Sequence, residues 1–480
     1  MAQCIQFEGY TVVGVPPEEW SQEARNVANR KPEGERPNLK SRIVDTAILD
    51  LARVEYMRQE REICGANFAE VGSGPLVLDF SRAKMISAGV LPMLGSLIKY
   101  RSDNRQITQL HLPAASEGRE FSSVVDYMQT WNFGEFVEGI TGRPMTEFLT
   151  RDSLMMWKRW SSAKSRYVKT VLSPDGNRVH ILSKNYVSLM RLNVEDMTSI
   201  ECSKLSRRYR AGQIASLRVK EWTRGTLGSL LKKRIVDREG KPASELIGAT
   251  ILNELLINSL IHPHASQVYT YGQFCTSTIT REQAYFVLSV WDDGNHNQSL
   301  PEILSKAIVE HKALSPAFGH VSEVYRLWED GRLIEESDFL KELIFTKHGK
   351  QRKNAPFIAS MAGVTSEPTA SKQKEFLRLN EDDLPENYQG YPGLGLYRVK
   401  LAAVRAVGGC LQYAGSTYRN SIRGARKKDS REGIQCKDKS DEVQNEMIGG
   451  YRVDIQSSKQ QCWPLAGNLW TVWVPVNSTE

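Results

Sequence analysis

The stretch ILNELLINSLIHPHA, residues 251–265, constrains this chain more than any other. Glu254, Asn258 and His262 recur every four residues, just over one helical turn, so on a helix all three project from one face. Ile251, Leu255, Leu256, Ser259 and Leu260 line the other flank, so the helix has an apolar side to bury and a polar column opposite it. Such a column is either a solvated edge or the wall of a cleft. In a cleft, the Asn amide oxygen can ligate Mg²⁺, and a Glu one turn earlier can orient or deprotonate a nucleophile.

Two later stretches favour the cleft. FVLSVWDDGNH, residues 286–296, is an apolar β-run ending in Asp292, Asp293 and Gly294, the pattern of a buried strand entering a tight turn. A carboxylate at such a strand end can accept a hydrogen bond from an amino group such as that of adenine. GYPGLGLYRVKLAAVRAVGGCLQYAGS, residues 390–416, puts Gly393 and Gly395 at the start of a helix that ends at Gly408 and Gly409, with a strand beyond. Glycines at a helix start let backbone N–H groups approach phosphate closely. LWTVWVPV at 469–476 reads as a closing strand.

In this order the pieces resemble the N-box, the adenine-Asp box and the second glycine box of the GHKL superfamily, the ATPase fold shared by gyrase, heat-shock chaperones, histidine kinases and MutL. The resemblance covers residues 241–480. It implies a Bergerat-type α/β sandwich with ATP and Mg²⁺ as cofactors. Residue by residue, it implies that Asn258 holds Mg²⁺, Glu254 is the general base and Asp292 recognises adenine. Gly294 would flank the base, and Gly393, Gly395 and Leu396 would line the triphosphate. The family usually has a second glycine two residues after Gly294, where this chain has His296.

A chain of 480 residues suits two or three domains. No apolar run reaches the roughly 18 residues that span a bilayer, and MAQCIQFEGY lacks the basic and apolar regions of a signal peptide. A cytoplasmic protein without a membrane association is therefore expected. Its seven cysteines are scattered, without a CxxC pair or a Cys/His cluster, which argues for reduced thiols and against structural zinc. The net charge of +7 is concentrated. Residues 204–238 carry eleven Lys or Arg against Glu221 and Asp237, and residues 419–431 add Arg419, Arg423, Arg426, Lys427, Lys428 and Arg431. Either cluster is a solvated face or a contact for nucleic acid, an acidic protein or the nucleotide's phosphates.

Toward the N-terminus, residues 3–14 read as a strand and 42–62 as a helix. PLVLDFSRAKMISAGVLPMLGSLIKYR at 75–101 reads as a strand and a helix starting near Ser87, QITQLHLP at 106–113 as a strand, and SSVVDYMQTWNF at 122–133 as one helix. Alternating strands and helices imply a small α/β layer over 1–140. Leu78, Asp79, Phe80 and Ser81, followed by Ser87, Ala88 and Gly89, resemble the strand, DxS turn and Ser-Ser-Gly helix start of STAS-type domains. In that family the Ser before the Gly is phosphorylated. Here that position is Ala88, so the layer is expected to dock a protein partner without accepting phosphate, with Ser87 capping the helix.

Residues 141–240 read as a basic connector, a hairpin at 168–183 followed by a helical pattern from about 184 to 235; His180 and His262 are each either a ligand or, as lone histidines more often are, an ordinary packing or surface residue. Between Gly294 and Gly393, helical patterns at 300–314 and 321–345 imply an inserted lid over 295–392. Its basic loop at 346–354 carries Lys347, Lys350, Arg352 and Lys353, either an exposed turn or a reach toward the γ-phosphate. A second basic loop is expected at 417–450.

Three functions compete: a regulatory ATPase whose lid controls a partner on the STAS-like half, an anti-sigma-type serine/threonine kinase, and a nucleic-acid ATPase like MutL, MORC or the topoisomerases. The last group carries a transducer domain after the ATPase fold, and this chain ends at Glu480. A STAS-like half joined to such an ATPase resembles bacterial signalling proteins. The resemblance also implies a nucleotide-dependent homodimer.

Overall fold

The computed structural model describes residues 3–6, 74–81, 83, 86, 90–115, 122–167, 169–172, 178–181, 186–192, 204–223, 225–237, 239–261, 265–276, 283–294, 360, 395–415, 418–424, 443–448, 451–457 and 465–476. The expected helices at 42–62, 300–314 and 321–345, the loop at 346–354 and Ser87 to Gly89 lie outside them.

Strands β1 (Gln3–Gln6), β2 (Leu76–Asp79) and β3 (Thr108–His111) form a parallel sheet in the order β1-β2-β3. Helix α1 (Val90–Asp103) makes the crossover from β2 to β3. The stretch read as one helix at 122–133 is two. Helix α2 (Ser123–Thr130), capped by the Ser122 hydroxyl, stops at Asn132, which takes a left-handed φ of 57°, and α3 (Phe133–Thr141) starts beyond it. Asn tolerates that conformation, and the turn lets Phe133, Phe136, Val137 and Ile140 all face the core.

Residues 141–240, expected as a connector, divide between two layers. Helix α4 (Arg151–Tyr167) belongs with the first sheet: the Ser153 hydroxyl accepts from the Leu112 N–H at 2.7 Å, and Trp157 is buried beside α3. The hairpin is present as β4 (Lys169–Leu172) and β5 (Arg178–Ile181). Beyond it, where a helical pattern was expected, Tyr186–Leu192 is a strand, β6. A register shift between Val187 and Met190 breaks its alternation, which is why the strand period is hard to read. Helices α5 (Lys204–Thr223) and α6 (Gly225–Arg234) follow.

The second layer is an eight-stranded sheet, antiparallel throughout. It comprises β6, β7 (Val268–Thr276), β8 (Gln283–Asp292), β9 (Cys410–Ala414), β10 (Tyr418–Gly424), β11 (Val443–Ile448), β12 (Tyr451–Ser457) and β13 (Asn468–Pro475), in the order β11-β12-β10-β9-β13-β8-β7-β6. The expected basic loop at 417–450 therefore contains two strands, β10 and β11, and Arg419 and Arg423 stand on β10.

Both faces of the sheet's central strands, β8 and β13, are covered. Phe286, Leu288 and Val290 of β8 face a core shared with α5, with α7 (Asn253–Ile261) and with α8 (Gly395–Lys400). Val287 and Trp291, the alternate residues, face a second core built by α1, α2 and α3 of the first layer. β13 splits the same way, with Trp470, Val472 and Val474 on one side and Leu469 and Trp473 on the other. A strand buried on both faces is apolar along nearly its whole length, which accounts for the FVLSVW run, whose one polar member, Ser289, pairs its hydroxyl with that of Thr471 at 3.0 Å.

Candidate functional site

Helix α7 continues a π-helical segment, Leu246–Leu252, and puts Glu254 and Asn258 one turn apart on the face that meets α8. Its apolar side, with Ile251, Leu255, Leu256 and Leu260, is buried in the first of the two cores. The Asn258 amide Nδ2 donates to the Glu254 carbonyl at 2.7 Å, which fixes the amide with its Oδ1 near Gly395. Helix α8 begins against these two side chains. A Cβ on Gly395 would stand 2.9 Å from Glu254 Oε2 and 3.0 Å from Asn258 Nδ2, so only glycine fits without displacing one of them. Arg398, on the same helix, places Nη1 3.5 Å from Glu254 Oε1. Leu396 is half-buried and packs on the core, and α8 runs on into a second π-helical segment, Leu401–Ala406.

Asp292 closes β8 and is buried. Its Oδ1 accepts from Asn468 Nδ2 at 2.8 Å, and the Tyr413 hydroxyl donates to Asn468 Oδ1 at 2.7 Å. Burial pushes the Asp292 carboxyl up to about 7; donation from Asn468 and the Gly294 N–H works against that rise, and the neighbouring Asp293 charge adds to it. Asp293 has a structural job: it accepts from the Ser266 hydroxyl, from the Ser266 N–H at 2.8 Å and from the Gln267 N–H at 3.1 Å, holding the entry to β7. Gly294 takes a φ of 55° and Gly467 a φ of 77°; a Cβ on Gly467 would overlap the Asp292 carbonyl.

Glu254, Asn258, Gly395 and Leu396 are thus brought together, and Asp292 and Gly294 share the adjoining strand end. Gly393, His262 and His296 lie outside the described residues, as does the 295–392 segment apart from Ser360. Ser259 is buried on the apolar flank where sequence reading put it. That reading missed Arg398, Tyr413, Asn468, Gly467 and Lys400. Lys400 is buried on α8, its Nζ 5.6 Å from the Tyr397 ring centre, and burial reinforced by Arg405 lowers it to about 7. A Gly-Asn pair immediately before the closing strand was the one local signal for Gly467 and Asn468.

The first basic cluster is not one surface. Arg218 is buried, donating to Glu221 at 2.6 Å and to the Arg191 carbonyl at 3.1 Å, whereas Lys220, Lys232 and Lys233 are exposed. In the second cluster, Arg426, Lys427, Lys428 and Arg431 lie outside the described residues.

Among the described residues no group of three or more His, Cys, Asp or Glu could hold a metal ion. Mg²⁺ does not require one, since it takes one or two side-chain oxygens and completes its shell with phosphate and water. The Asn258 Oδ1 beside the Glu254 carboxylate fits that pattern. No helix among the described residues is long and apolar enough to cross a membrane. No family model, curated protein or solved structure matches the chain.

Proposed function

We propose that the chain is a Mg²⁺-dependent, ATP-binding regulatory protein of the GHKL type, one that hydrolyses ATP and uses closure of the 295–392 segment to control a protein partner. The observation that carries this reading is the meeting of Glu254, Asn258 and Gly395, 141 residues apart at the extremes, beside a strand that ends in a buried carboxylate. An antiparallel sheet with α5, α7 and α8 on one face supports a Bergerat-type sandwich. The STAS-like layer covers the other face and is the docking platform in this reading.

Asp292 accepts from the adenine amino group, with Asn468 holding its other oxygen. The backbone at Gly395 approaches the phosphates, because no side chain stands in the way. Asn258 Oδ1 would hold Mg²⁺, which when bound neutralises phosphate charge. Glu254 takes the proton of the attacking water or of a protein hydroxyl.

The test is incubation of wild type and Glu254→Gln with Mg²⁺ and γ-labelled ATP, following free phosphate and protein-bound label together. Free phosphate from wild type alone is expected. Label on protein would replace hydrolysis with the anti-sigma-type kinase reading, and equal loss of binding and turnover in Glu254→Gln would remove the role given to Glu254.

A further inference from the structure

Glu254 is held from two sides by one helix. Its Oε2 would stand 2.9 Å from a Cβ on Gly395, its Oε1 faces Arg398 Nη1 at 3.5 Å, and Gly395 and Arg398 are three residues apart on α8, nearly one turn. The Glu254 side chain is only 10% exposed, against 27% for Arg398. A carboxylate with so little water around it needs an opposite charge or donors to stay ionised, and α8 brings a guanidinium to it from the outer side.

We infer that Arg398 is a positioning residue for Glu254, fixing the carboxylate so that the oxygen next to Gly395 is the one presented to the reacting group. This rests on the ATP-turnover reading above. The chemistry stays with Glu254, and Arg398 acts through it. Arg398 belongs to the same short segment as the glycine that admits the phosphates, so α8 supplies both the phosphate approach and the orientation of the base.

The experiment is a double-mutant cycle on the full chain, with Arg398→Gln, Arg398→Lys, Glu254→Gln and the combined Arg398→Gln/Glu254→Gln variant. Its readouts are the Kd for ATP with Mg²⁺ and total turnover, counted as free phosphate plus protein-bound label. Expected are a loss of about ten-fold or more in kcat for Arg398→Gln with Kd within about two-fold of wild type. Arg398→Lys should recover part of the loss, and Arg398→Gln should add nothing in the Glu254→Gln background. A Kd raised as much as kcat falls would make Arg398 a phosphate ligand and overturn the inference. So would independent, multiplicative losses in the double variant, or turnover unaffected by Arg398→Gln. Wild type that binds ATP but turns none over would instead bring down the role of Glu254, and the inference with it.

Discussion

Replacing Asp292 by Asn should change how stability depends on pH, even without nucleotide. In the native chain the carboxyl is raised from 3.8 to about 7, chiefly by burial. Between those values the folded state keeps a proton that the unfolded chain has released, so wild-type stability falls as pH rises from about 4 to 7 and levels off above. At about 1.4 kcal/mol per unit, a shift of about three units corresponds to at most about 4 kcal/mol. Asn keeps an oxygen for Asn468 Nδ2 but presents a donor where the Gly294 N–H now donates, costing about 1 kcal/mol for the impaired hydrogen bond. Asp292→Asn should therefore be slightly less stable than wild type at pH 4 and more stable at pH 8. Denaturant unfolding of both proteins at the two pH values reads the swing directly. A stability gap that is the same at both values would refute the reasoning, as would a gap that widens against the variant at pH 8.

At the phosphate edge, Gly395→Ala should push its methyl group onto Glu254 and Asn258, lowering ATP turnover by about a hundred-fold while unfolding free energy changes by less than about 1 kcal/mol; a measured loss confined to stability would contradict this. The Ser96 hydroxyl on α1 donates to the Ala466 carbonyl, the Ser96 backbone carbonyl accepts from the Ala466 N–H at 3.3 Å, and Ala466 leads through Gly467 to Asn468. Ser96→Ala should cost about 1 kcal/mol in thermal unfolding and weaken ATP binding about three-fold by loosening the Asn468 contact to Asp292; titrations indistinguishable from wild type would separate the first layer from the nucleotide site.

Much of this was legible where a local period decides the structure. α7 follows from its helical period and β8 from its apolar run, and Glu254, Asn258 and Asp292 lie at the places those patterns give them. The contact between Tyr413 and Asn468 was out of reach of any local pattern. They meet because β9 and β13 pair with Tyr413 opposite Trp470, a register set by the whole sheet. Likewise the continuous apolar run of β8 implied cover on both faces, but no local pattern says that the second cover comes from helices α1 to α3, more than 140 residues earlier in the chain. The basic residues at 204–238 mislead in the same way: Arg218 carries the charge of a surface contact and spends it on Glu221 and the Arg191 carbonyl.

The most direct measurement is an equilibrium titration of the full chain with ATP in Mg²⁺, run alongside Asn258→Ala and Asp292→Asn. Saturable binding by wild type at one nucleotide per chain is the predicted result, with affinity lost by about ten-fold or more in each variant. Binding left unchanged in both variants, or no binding by wild type, would contradict the account.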